Sequence, residues 1–167
     1  MSNRSDTQPK MRISFDLDEV LFVSPKTHKT EPPLRFPLNR IYKERLRLGT
    51  AKLIPELRAL GYEVWVYTTS YRSVRYIRRL FGHYGVRFDS IVNGQRHENE
   101  VQGGHPYPMP TKLPSFYQIT LHVDDESVVA SYGRTYGFEV FELDAPDDEW
   151  AEKIIERADL IRQRKFN

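Results

Sequence analysis

The sequence predicts an α/β class fold: a three-layer α/β/α sandwich around a mainly parallel sheet of five strands. Three observations lead there. Short apolar runs alternate along the chain with longer segments of helical periodicity. Glycines close two of the helical segments, Gly61 and Gly85, just where the next apolar run begins. Three apolar runs end in acids or hydroxyls, as strands do that deliver functional groups to one edge of a sheet.

In Met11-Arg12-Ile13-Ser14-Phe15-Asp16-Leu17-Asp18, Ile13 and Phe15 mark a buried first strand that stops at Asp16, and Asp18 turns back toward the same point. Residues 22–40 hold Pro25, Pro32, Pro33 and Pro37 and are too short and broken for more than a loop or small flap. Ile41, Leu46, Leu48, Leu53, Ile54, Leu57 and Leu60 predict a helix over 41–60, interrupted at Gly49-Thr50 and Pro55. Tyr62 to Tyr67 is β-branched and aromatic, a second strand ending in Thr68-Thr69-Ser70. Val74, Ile77, Leu80 and Phe81 predict a helix from Tyr71 to Tyr84, capped by Ser70. A third strand spans 86–92, and residues 93–113, rich in Gly, His and Pro, read as a long loop and a candidate lid. Ile119, Leu121 and Val123 alternate as a fourth strand, with His122 in it, running into Asp124-Asp125. A helix over 127–136, a fifth strand over 138–143 and a helix over 146–166 follow, the last with Trp150, Ile154, Ala158 and Ile161 on one face.

A chain of 167 residues is most simply one domain, here 11–167 after a polar, disordered tail at 1–10. It has no cysteine, which excludes disulfides and thiolate metal sites and fits a reducing cytoplasm. No apolar stretch approaches a membrane span. With 25 basic and 23 acidic residues the formal charge is +2, which permits a nucleic-acid partner without demanding one.

Right-handed crossovers bring the strand ends to one rim, collecting Asp16, Asp18, Thr68, Thr69, Asp124 and Asp125. Lys112, the only lysine between the second and fourth strands, is the sole ammonium well placed to join them. Two carboxylates one residue apart repel at neutral pH unless a cation sits between them or one keeps a proton, and either outcome suits phosphate chemistry. Each group alone has a plainer reading: Asp16 and Asp18 as a polar turn, the hydroxyls and Asp124-Asp125 as helix caps, Lys112 as a solvated lysine. Their coincidence in this order does not.

Acid pair, hydroxyl, lysine and acid pair at successive strand ends resemble the four motifs of the haloacid dehalogenase (HAD) superfamily of phosphohydrolases, over about residues 11 to 144. The resemblance implies a Rossmann-like sheet and a magnesium-dependent phosphomonoesterase. Asp16 would be the nucleophile that forms an aspartyl phosphate, and Asp18 the general acid and base. Mg2+ would be held by the Asp16 carboxylate, the Asp18 main-chain carbonyl and Asp124, supported by Asp125. Thr68, helped by Thr69, would hydrogen-bond a phosphoryl oxygen, and Lys112 would neutralise charge on the transferring group. Glu19 stands where many members carry Gly. With only 22–40 available as a flap, the cap of many relatives is nearly absent, and nucleotides, sugar phosphates, phosphoproteins and polynucleotide ends all stay open as substrates. Arg72, His97 and His105 are expected as further substrate contacts, Arg72 by holding a second phosphate. A phosphate-accepting receiver module and a phospho-ligand-binding relative without activity are the alternatives.

Overall fold

The computed structural model describes residues 10–143 and 146–166. Apart from Lys10, the expected disordered tail lies outside the described residues. Five strands pair in parallel throughout: β1 (Met11–Phe15), β2 (Tyr62–Tyr67), β3 (Ser90–Val92), β4 (Leu121–Asp124) and β5 (Glu139–Glu142), in the order β3-β2-β1-β4-β5. The helices are α1 (Leu38–Ile41), α2 (Thr50–Ala59), α3 (Val74–Gly82), α4 (Gly94–His97), α5 (Ser127–Tyr136) and α6 (Trp150–Phe166).

Central β1 is covered on both faces, so Ile13, Ser14 and Phe15 are all fully buried. β2 follows the two-residue strand period. Val64 and Val66 enter one core with Leu53, Ile54 and Leu57 of α2, Ile77, Leu80 and Phe81 of α3, and Ile154, Ala158 and Ile161 of α6. Trp65 and Tyr67 enter the other, with Val101, Leu113, Tyr117 and Val129 of α5. The chain builds outward from β1 to β2 and β3, then crosses back to place β4 on the other side of β1. That reversal puts a topological switch point between the ends of β1 and β4, where crevices form in open parallel sheets.

Four local expectations are corrected. Residues 42–48 are not helical. Phe22 bridges Leu46 and Thr30 bridges Arg47, which ties this segment to the flap, while Leu46 is buried and the Arg47 guanidinium donates to the Glu19 and Val20 carbonyls just before the flap. The interruption falls at Gly49, whose φ of 97° suits glycine, whereas Pro55 lies inside α2 without ending it. α3 begins at Val74 rather than Tyr71, capped by the Ser73 hydroxyl, which accepts from the Tyr76 amide at 3.2 Å. β3 begins at Ser90, although Val86 and Phe88 are buried before it. Residues 93–113 are no free lid: α4 and a π-helical turn (Glu98–Gln102) occupy their first half, and Val101 fastens the turn into the second core.

Candidate active site

The switch point is filled by three carboxylates and one ammonium. Asp16 continues the β1 ladder by donating its amide to the Val123 carbonyl, and its Oδ1 accepts from the Leu17 amide at 2.7 Å. Asp124 ends β4 fully buried, its Oδ1 accepting from the Glu126 amide at 3.0 Å. Lys112, 1% exposed, lies between them: its Nζ stands 2.7 Å from Asp16 Oδ2 and donates to Asp124 Oδ2 at 2.5 Å. Burial on its own would lower the Lys112 ammonium, but the two carboxylates outweigh it and hold the group above the ordinary lysine value.

One carboxylate oxygen each of Asp16, Asp124 and Asp125 lie within 4.8 Å of one another. These are hard oxygen donors of the kind that hold Mg2+. Burial raises the Asp125 carboxyl, and the nearby charges of Asp124, Asp16 and Glu126 raise it further, the repulsion that a cation relieves. Asp124 behaves oppositely. Burial would raise it, yet the hydrogen bond from His122 and the charges of His122 and Lys112 bring it down to about 2.

Thr68 lies where β2 ends, its amide on the Val92 carbonyl and its Oγ1 accepting from the Ser70 amide at 3.1 Å. It is buried, whereas Thr69 is exposed and faces a neighbouring cleft. The predicted Asp16, Thr68, Lys112, Asp124 and Asp125 thus share one rim. Glu19 explains its own oddity: its φ of 60° is the left-handed conformation that glycine adopts freely, held here by the Arg47 guanidinium on its carbonyl at 2.7 Å.

Other predicted residues are elsewhere. The Asp18 side chain, 55% exposed, stands apart from the three-carboxylate cluster and accepts from both terminal nitrogens of Arg72, at 2.9 and 3.0 Å. Arg72 also donates through Nε to Glu44 at 3.1 Å and through Nη1 to the Ser70 hydroxyl at 2.8 Å. In this arrangement it is a clamp on Asp18, with its donors directed at Asp18, Glu44 and the Ser70 hydroxyl. His97 is buried against the second core, with its ring beside Tyr67 and part of it on the wall of that neighbouring cleft. The Tyr67 hydroxyl meets its Nδ1 at 2.6 Å and accepts from the Leu113 amide at 2.9 Å, while the ring also bonds the Pro110 carbonyl. These bonds fasten the chain on both sides of Lys112. His105 is exposed, its Nδ1 on the Val101 carbonyl at 2.7 Å, at the end of the π-helical turn.

Sequence reasoning missed what orients Asp124. His122 Nε2 donates to Asp124 Oδ2 at 2.8 Å, and its Nδ1 meets the Ser14 hydroxyl at 2.7 Å. Residues 122 and 124 share a strand face by the two-residue period, a legible signal. Ser14 is opposite His122 only through the β1–β4 register.

Solved structures share this architecture. A HAD-superfamily hydrolase of subfamily IA, variant 1, from Geobacter sulfurreducens matches with a TM-score of 0.56 at 14% identity, over 89% of this chain and 96% of its own. The HAD domain of the effector protein Lem4 from Legionella pneumophila, an inactive mutant, matches at 0.50 and 12% identity, over 96% and 100%. The chain has the HAD fold. An uncharacterized protein from Listeria monocytogenes serotype 4b matches at 0.55 and 17% identity, over 92% and 99%. No family model matches the sequence, and no curated protein matches it significantly. Among the described residues no helix is long and apolar enough to cross a membrane.

Proposed function

We propose that the chain is a magnesium-dependent phosphomonoesterase working through an aspartyl phosphate on Asp16. The observation that carries the reading is Lys112: a buried ammonium held 2.7 and 2.5 Å from two strand-end carboxylates is an arrangement suited to a dianionic group arriving between them. Asp16 attacks phosphorus and the ester oxygen leaves. Water then hydrolyses the acyl phosphate, splitting one hard displacement into two easier ones. Thr68 and Lys112 bind phosphoryl oxygens as charge spreads over them. Asp18 is the acid to the leaving group and the base for the attacking water, and either service requires release from Arg72. His122 and Glu126 fix Asp124, while Tyr67 and His97 fix the loop that carries Lys112.

The Asp16 carboxylate, the Asp18 main-chain carbonyl, Asp124 and Asp125 would hold Mg2+, which supplies charge to offset repulsion between nucleophile and phosphate. The chain from 11 onward works as one domain, with 22–40 as its flap, open to solutes of the cytoplasm. Its substrates are phosphorylated compounds. The test is hydrolysis of an aryl phosphate by wild type with Mg2+, with chelator, and by Asp16→Asn. Turnover is expected only in the first; activity surviving both chelator and Asp16→Asn contradicts the mechanism.

A further inference from the structure

Beside the Lys112 centre lies a cleft of ≈ 300 Å³ that the mechanism above does not use. It is lined by Thr69 and Thr111, the chain neighbours of Thr68 and Lys112, which places it beside the phosphate position. Its aromatic wall is Tyr71. A Cβ on Gly94 would come within 2.8 Å of the Tyr71 ring and 2.6 Å of the Thr69 carbonyl, so only glycine there lets the ring lie down against α4. The residue is nevertheless 59% exposed, which leaves ring surface on which an aromatic group can stack. Met109 adds a soft apolar contact.

Charge narrows the occupant. Among the described residues no lysine or arginine lines the cleft, and Glu98, bonded to the Tyr71 hydroxyl, puts a carboxylate at its edge. A leaving group carrying a carboxylate or further phosphates is repelled there. A second observation concerns leaving-group chemistry: Arg72 holds both Asp18 oxygens, and that side chain stands apart from the three-carboxylate cluster. A phenol, of pKa about 10 like tyrosine, departs with far less help than an aliphatic alcohol.

We infer that the preferred substrates are aryl phosphate monoesters whose ring occupies the Tyr71 cleft, whether a small phenyl phosphate or a phosphotyrosine side chain. The inference rests on the phosphomonoesterase reading. Asp16 forms its bond to phosphorus as the P–O(aryl) bond breaks, and the electron pair leaves on the phenolate, which takes a proton from solvent. Water then attacks the acyl phosphate and gives its proton to Asp18, so that ester plus water yields phenol plus phosphate.

The test compares phenyl phosphate, a phosphotyrosyl peptide, glycerol 2-phosphate and the matching phosphoseryl peptide, with the full chain in Mg2+. Because aryl esters react faster intrinsically, the readout is KM. Both aryl esters should show KM several-fold below their aliphatic counterparts, and Tyr71→Ala should shrink that ratio about 3- to 10-fold. A lower KM for the phosphotyrosyl peptide than for phenyl phosphate assigns the site to protein substrates; the reverse assigns it to small phenols. Calorimetry on Asp16→Asn separates the two readings. If wild type hydrolyses nothing yet Asp16→Asn binds phenyl phosphate over glycerol 2-phosphate, the catalytic reading falls and the cleft assignment stands. Equal aryl and aliphatic affinity in both assays, or a ratio that Tyr71→Ala does not move, overturns the cleft assignment.

Discussion

The polar groups around Lys112 form two buried networks of opposite character. Toward the sheet, its ammonium meets Asp16 and Asp124, and Asp124 in turn holds His122, a cluster of formal charges at the switch point. Toward the second core, Tyr67, His97, Pro110 and the Leu113 amide form a chain of hydrogen bonds in which burial keeps His97 below the ordinary histidine value and therefore neutral near pH 7. The first network concentrates charge where a dianion must bind, which stabilises the fold only while every charge is paired. The second carries no formal charge, and its directional bonds fix the loop on both sides of Lys112. Chemistry and positioning are thus divided between the two faces of one residue.

Breaking the charged network should give the larger effects. Asp16→Asn should lower kcat by about 10⁴-fold or more while leaving the fold intact by circular dichroism. Lys112→Met should lower kcat by about 10²–10³-fold and destabilise by about 3–5 kcal/mol in urea, since it takes the ammonium from two buried carboxylates. Added Mg2+ should raise the Tm of that variant more than that of wild type.

The neutral network should respond more gently. Tyr67→Phe strands the Leu113 amide and one His97 nitrogen, with an expected loss of about 1–3 kcal/mol. Its kcat should fall about tenfold through a misplaced Lys112, with KM little changed, in steady-state kinetics. The smallest effect is the pH term of His97. Burial holds its folded pKa below the ordinary histidine value of about 6.5, so its stabilisation is complete above pH 6.5 and is lost as pH falls below it. Urea midpoints at pH 5 and 7.5 should therefore differ less in His97→Asn than in wild type.

Much of the charged network was legible because strand signals are local. Asp16, Thr68 and Asp124 each follow a short apolar run, and Lys112 stands alone in its stretch of sequence. The neutral network was hidden: Tyr67 reads as an ordinary strand aromatic, and α4 with its π-helical turn is too short and polar to show a period. Side-chain direction also escaped. Arg72 was placed near the phosphate by its position in the chain, but Glu44, brought in by the flap, and Asp18 take its donors. The helical spacing of Ile41 to Leu48 misled because the bridges of Leu46 and Arg47 to the flap and the Arg47 bonds to Glu19 and Val20, all tertiary facts, hold that segment out of a helix.

The central claim is that Asp16 carries the phosphoryl group. It is tested most directly by acid-quenching a single turnover of phenyl phosphate, reducing the protein with borohydride and mapping it by mass spectrometry. An acyl phosphate is reduced to an alcohol, so the account predicts homoserine at position 16, Mg2+-dependent and lost in chelator. Turnover that proceeds with Asp16 unmodified at every quench time, and with inversion rather than retention at phosphorus, would contradict it.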